Sequence, residues 1–378
     1  MSRGARRGQG VCFSYAPATG DVAGILSSSQ ATTGLHRGVP MPEMPVENRG
    51  SEDRVRALLT SGKMFLTLAG VETDLMFRLQ FPLRSFAAFE VFADRDAHQR
   101  LIDAHLKPIA QSAREHGYGL LVDCLVYKAH ADVIREIGYN EDDVARLNRE
   151  SVAHTRRSID DWRAETGTDE SKLSVLLAGD IGHRGDGYGL RKDEPVSAEA
   201  SLAYHRTQVV ALAEAGVDVL IAWTQTNCNE AIGITRAARD AGLPVILSAT
   251  VETDGRLPDG TALGEFVTRV DEATETYPVF FMVNCAHPEH IEGTLSAAAA
   301  ATEPWLSRFR GLRANASCKS HAELDDSTTL DRGDPVDLGV RMARMAGEHS
   351  LCLVGGCCGT DPEHLAEIAA ACATSDHD

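Results

Sequence analysis

The chain has 378 residues, 43% of them hydrophobic and 24% charged, with a formal net charge of −18 at pH 7. That length supplies a large core and exceeds an ordinary single domain unless the fold is a barrel. The acidic balance argues against nucleic acid and anionic membrane as partners, and no run of roughly 18 apolar residues marks a membrane span.

Residues 1–50 are rich in Gly, Ser, Pro and Arg without lasting periodicity, and are expected to form a flexible extension. From there to residue 378 a single pattern recurs. A short apolar run, rich in Leu or β-branched residues, leads through a polar or glycine-containing loop into an amphipathic segment. The runs are Met64–Ala69, Tyr118–Cys124, Leu173–Ala178, Val217–Trp223, Pro244–Thr250, Pro278–Cys285, Phe309–Ala316 and Ser350–Gly355. Helices are expected between them, among others over Ala198–Ala215, Asn229–Ala241 and Pro335–Gly347. Continuous apolar strands alternating with helices predict a parallel sheet covered on both faces. Eight such units predict an α/β fold of the (β/α)8 TIM-barrel type over residues 51–378. An open doubly wound sheet is the alternative, and the first strand–helix turn lacks the GxGxxG of a dinucleotide fold.

In a barrel, chemistry sits where strands end. The sixth run ends in Asn284-Cys285 and the eighth in Gly355-Gly356-Cys357-Cys358-Gly359-Thr360. Closure of the barrel would bring these three thiols to one mouth. The nine cysteines are odd in number and follow no disulfide framework, which points to a reducing, cytoplasmic setting. Three readings of the trio stand open: a metal site, thiols packed in a glycine turn, or a vicinal redox pair. Three thiolates on zinc leave a fourth position vacant, the arrangement of a catalytic rather than a structural site. Cys124 and Cys228 also lie near strand ends and are outside candidates for the same site. A zinc hydrolase is a weaker reading. It would draw on His183, His205, His287 and His290, but no HxH stands at the end of the first strand.

The string Gly355-Gly356-Cys357-Cys358-Gly359-Thr360 resembles the GGCCGT signature of the homocysteine S-methyltransferase family. Asn284-Cys285 resembles that family's other zinc cysteine, and Gly70-Val71-Glu72-Thr73-Asp74-Leu75 resembles its loop after strand one. The likeness runs in order from about Met64 to the C-terminus. It implies a zinc-dependent S-methyltransferase, with Zn2+ on Cys285, Cys357 and Cys358. These residues would promote methyl transfer from a small sulfonium or ammonium donor to a zinc-bound thiol, homocysteine giving methionine. It also implies that Gly70, Glu72, Thr73, Trp223, Thr224 and Asn284 line the substrate site. Because zinc deprotonates a bound thiol, the reactive thiolate is available at neutral pH. Glu72, Tyr127, Tyr188 and Trp223 are candidates to face a cationic donor, and the glycine-rich run 185–189 is a candidate loop over the site.

Two departures from the family's pattern concern the acceptor. Leu68 stands where the family has Asp, and Trp223 where it has Glu. In the family those acids help hold the amino acid part of homocysteine. Another small thiol, methyl transfer from a methylated sulfur compound, or a non-catalytic zinc- or thiol-binding barrel are therefore kept as alternatives. The methyl donor and oligomeric state are not legible in the sequence.

Overall fold

A computed structural model describes residues 46–185, 197–325, 327 and 329–375. Tyr188 and most of the glycine-rich run lie outside these residues, as does nearly all of the expected N-terminal extension. Eight parallel strands close in chain order, β1 pairing with both β2 and β8. They are β1 (Phe65–Leu66), β2 (Gly119–Asp123), β3 (Val175–Ile181), β4 (Val219–Gln225), β5 (Val245–Ala249), β6 (Phe281–Asn284), β7 (Phe309–Ala314) and β8 (Leu353–Gly356). Each falls on one of the eight apolar runs. The principal helices are α1 (Val46–Leu59), α2 (Lys107–Glu115), α3 (Asp143–Thr166), α4 (Ala198–Ala215), α5 (Cys228–Asp240), α6 (Leu263–Thr274), α7 (Pro288–Ala300), α8 (Pro335–His349) and α9 (Pro362–Ser375).

Although the strands are apolar throughout, their side chains still alternate between two layers. Leu121, Val219, Ile221, Ile246, Met282 and Leu353 fill the barrel interior. Leu120, Val122, Leu220, Leu247, Phe281 and Val283 belong to the outer core formed with the helices. Val55 and Leu59 of α1 join the interior cluster, so this helix closes the barrel at the end opposite the strand C-termini. Local signals set the helix limits. The Ser197 side chain accepts from Ala200 N ahead of α4, and Gly216 at φ +78° ends it. Asn227 accepts from Glu230 N ahead of α5.

β3 runs to Ile181, beyond the Ala178 limit expected from the apolar run. Gly179 and Asp180 read as a loop in the sequence. Gly179 pairs in register with Leu220 of β4, and it lacks a side chain because a Cβ there would meet the side chains of Leu212 and Leu220 at 2.9 Å. Asp180 belongs to the strand because it pairs in register with Ile221 of β4. Among the described residues no helix is long and apolar enough to cross a membrane.

Candidate functional site

Cys285, Cys357 and Cys358 meet at the C-terminal mouth of the barrel, their sulfurs all within 4.8 Å of one another. Tetrahedral zinc with Zn–S bonds near 2.3 Å requires sulfurs about 3.8 Å apart. Cys285 and Cys357 lie 2.6 Å apart, Sγ to Sγ, so this pair would open by about an ångström to share such an ion. The Cys357 thiol is pushed up to about 12, first by its hydrogen bond to Cys285 and then by burial. Thiols this close resist ionising together, and a soft divalent cation removes that penalty. The donor set therefore fits zinc.

The backbone that presents the sulfurs is held from several sides. Cys285 sits at φ +55°, a conformation a non-glycine residue rarely adopts. Its carbonyl accepts from Asn315 Nδ2 at 3.0 Å and from His321 Nε2 at 2.7 Å. Cys357 N donates to Ala314 O at 2.7 Å, and Thr360 Oγ1 donates to Cys357 O at 2.6 Å. Thr224 (φ +55°) and Leu125 (φ +57°) share the left-handed geometry of Cys285. Three such residues on one rim mark a surface that packing over-determines.

A cleft of about 560 Å³, part of it open to solvent, lies beside the sulfurs. Gly70, Glu72, Thr73, Trp223, Thr224, Asn284 and the three cysteines all line it, as does Tyr127. Several of these have structural commitments. Asn284 Oδ1 accepts from Thr224 N at 2.9 Å and Ser248 Oγ at 2.6 Å, and its Nδ2 donates to Thr224 Oγ1 at 2.9 Å. Gly70 N donates to Thr360 Oγ1 at 3.2 Å, and Gly359 N donates to Thr73 Oγ1 at 3.3 Å. Gly70 and Thr73 thus tie the turn after β1 to the cysteine turn after β8. Glu72 is only partly buried, and desolvation pushes its carboxyl up to about 7 despite the pull of Arg313. Tyr127 OH lies 3.1 Å from His183 Nδ1. Cys124 and Cys228 do not line the cavity; both are buried in the outer core.

Asp123, Asp180 and Arg313 line the same cavity, and sequence reasoning passed over all three. Asp123 Oδ2 pairs with Arg313 Nη1 at 2.7 Å, and Trp223 Nε1 donates to Asp180 Oδ1 at 3.0 Å. The Arg313 guanidinium lies over the Trp223 ring, 4.7 Å from its centroid. The available signal was a charged residue in the last two positions of a largely apolar strand.

The Homocysteine S-methyltransferase family model matches residues 110–372, which include all three cysteines. The chain is 26% identical over 261 residues to the homocysteine S-methyltransferase YbgG of Bacillus subtilis (strain 168), covering 66% of this chain and 78% of that protein. It is 27% identical over 245 residues to the methionine synthase of Mycobacterium tuberculosis, covering 61% of this chain but only 18% of that much longer protein. Its fold is similar to that of the homocysteine methyltransferase MmuM from Escherichia coli in its metallated form, with a TM-score of 0.61 and 21% identity over 84% of this chain and 99% of that one. The match to the family model covers well over half of the chain, and the chain belongs to the homocysteine S-methyltransferase family.

Proposed function

We propose that residues 51–378 form a zinc-dependent thiol methyltransferase of the cytoplasm. Homocysteine would be the acceptor, methionine the product, and a small sulfonium or ammonium compound the methyl donor. The convergence of Cys285, Cys357 and Cys358 on the rim of one cavity carries this reading. Zinc bound there supplies a Lewis acid that keeps an acceptor thiol deprotonated at neutral pH. The protein's own part is placement. The left-handed Cys285 and the bonded turn at Cys357 fix the sulfurs, and the cavity walls align acceptor and donor for in-line displacement. Glu72 faces the cavity as a carboxyl able to meet a cationic group.

The test replaces zinc with cobalt(II) and follows the sulfur-to-metal charge-transfer band during titration with thiols. Homocysteine should shift the band saturably. Cys285→Ala, Cys357→Ala and Cys358→Ala should each lose metal retention and turnover while the barrel stays folded by circular dichroism. Full activity in any one variant removes that residue from the ligand set, and absence of metal uptake by the parent protein overturns the proposal. A second reading, a different small thiol as acceptor, is favoured by Leu68 and Trp223 standing where acids hold homocysteine in the family. A band shift with another thiol but not with homocysteine would establish it.

A further inference from the structure

The cavity beside the three cysteines contains a charged network whose parts come from four strands: Asp123 from β2, Asp180 from β3, Trp223 from β4 and Arg313 from β7. The three charged residues are at most 7% exposed. Burying charge in this way is costly unless partners are supplied. The partners can be counted. Burial raises both Asp123 and Asp180 above the usual carboxylate range, and the charge of Asp123 raises Asp180 further, so the pair resists ionising twice. The pair then carries one negative charge, and Arg313 cancels it. Trp223 Nε1 occupies one Asp180 oxygen and Arg313 Nη1 one Asp123 oxygen. That leaves Asp123 Oδ1 and Asp180 Oδ2 without a hydrogen-bond partner.

Arg313 is not used up either. A guanidinium has five N–H donors in a fixed plane. Nε donates to Gly356 O at 2.8 Å, Nη2 to Ala69 O at 2.9 Å and Nη1 to Asp123 at 2.7 Å. The ring of Trp223 covers one face of the group. These contacts hold the guanidinium rigidly and leave two N–H donors with no described partner on a residue that lines the cavity. Its strand lies between the two that carry the thiols: Arg313 pairs in register with Asn284 of β6 and Gly355 of β8. A rigid cation with spare donors beside a cluster of sulfurs matches a ligand with a thiol at one end and a carboxylate at the other.

We propose that Arg313 binds the carboxylate of the acceptor, so that the site selects mercapto-carboxylates and takes its specificity from the Asp123–Arg313–Trp223–Asp180 network. The inference rests on the thiol-acceptor reading above and names the group that recognises the acceptor's polar end. Arg313 acts on binding and orientation, and no proton moves through it.

The test compares three thiols on the metal-loaded protein by isothermal titration calorimetry. Homocysteine carries both a carboxylate and an amine, 4-mercaptobutyrate only the carboxylate, and 3-aminopropanethiol only the amine. The first two should bind within a few-fold of each other, and 3-aminopropanethiol at least about 30-fold more weakly, the range expected for a charge-assisted pair. In Arg313→Gln the preference for homocysteine over 3-aminopropanethiol should collapse to a few-fold. Because the ligand series is run on the parent protein, the proposal stays testable if that variant fails to fold. Equal binding of homocysteine and 3-aminopropanethiol to the parent protein would make Arg313 part of the scaffold only and overturn the inference, while a thiol-induced shift of the cobalt band would leave the methyltransferase reading standing. Carboxylate-dependent binding without any shift of the band would support Arg313 and count against the metal-bound acceptor. Failure of all three compounds to bind would overturn both.

Discussion

Glu72 lines the cavity with a carboxyl whose charge state responds to burial. Burial pushes its carboxyl up to about 7 from the usual 4.5, against a smaller pull from Arg313. The sign of the effect on stability follows from this. An acid whose pKa rises on folding lets the folded state bind more protons than the unfolded state. The associated stability is fully present below pH 4.5 and is lost as pH rises through 7. The charged form therefore costs the folded protein stability at pH 8, on the order of 1–3 kcal/mol after allowance for the open cavity. Glu72→Gln removes this titration. In metal-free protein the variant should match the parent at pH 4.5 and gain stability relative to it as pH rises to 8, measured by urea unfolding at each pH. A constant gap across that range would show that Glu72 titrates normally. An ammonium group docking beside Glu72 would offset the same cost, which links the residue's instability to cation binding.

At the scale of elements, the site depends on two turns packed backbone to backbone. A Cβ on Gly70, in the turn after β1, would lie 2.4 Å from Cys357 O and 2.6 Å from Thr73 Oγ1. The first obstacle is backbone and cannot rotate away. Gly70→Ala should push the β8 turn outward and move Cys357, lowering metal affinity by at least about tenfold with little change in secondary structure. Competition with a chelator measures the first quantity and circular dichroism the second. Unchanged metal affinity would mean that the two turns move independently. The same packing explains what could be read from sequence. The strands were legible because parallel strands buried on both faces are apolar nearly throughout, and the cysteines because their glycine-flanked string is rare. Asp123, Asp180 and Arg313 were not, since each stands on a different strand and only closure of the barrel brings them together. Asp180 was further hidden behind Gly179, which reads as a loop residue until the packing of Leu212 and Leu220 shows why it must lack a side chain. Leu68 and Trp223 were legible as missing acids, but where acidic groups instead enter the mouth depended on the tertiary fold.

On the scale of the whole molecule, the mouth and the floor of the barrel have separate tasks. The mouth holds strained residues, buried charge and the thiols, all of which cost stability. The floor is apolar, and α1 closes it. Val55 and Leu59 are buried against Phe65, Leu121 and Leu353, and Leu58 packs beside them. Polar contacts hold the helix in register: Arg56 stacks on Tyr277 at 4.6 Å, and Tyr277 OH donates to Glu52 at 3.1 Å. Burying Val55 and Leu59 contributes roughly 3–6 kcal/mol, which is a large part of the about 5–15 kcal/mol that holds a typical domain together. Deleting residues 1–60 should therefore lower the urea midpoint sharply or prevent folding. This deletion exposes the interior cluster without touching a residue of the thiol site. Its loss of metal binding should consequently follow its loss of fold, with both transitions superimposing in one denaturation series. If the protein lacking 1–60 unfolded at the parent's midpoint, α1 would be a peripheral helix and the barrel would close its own floor.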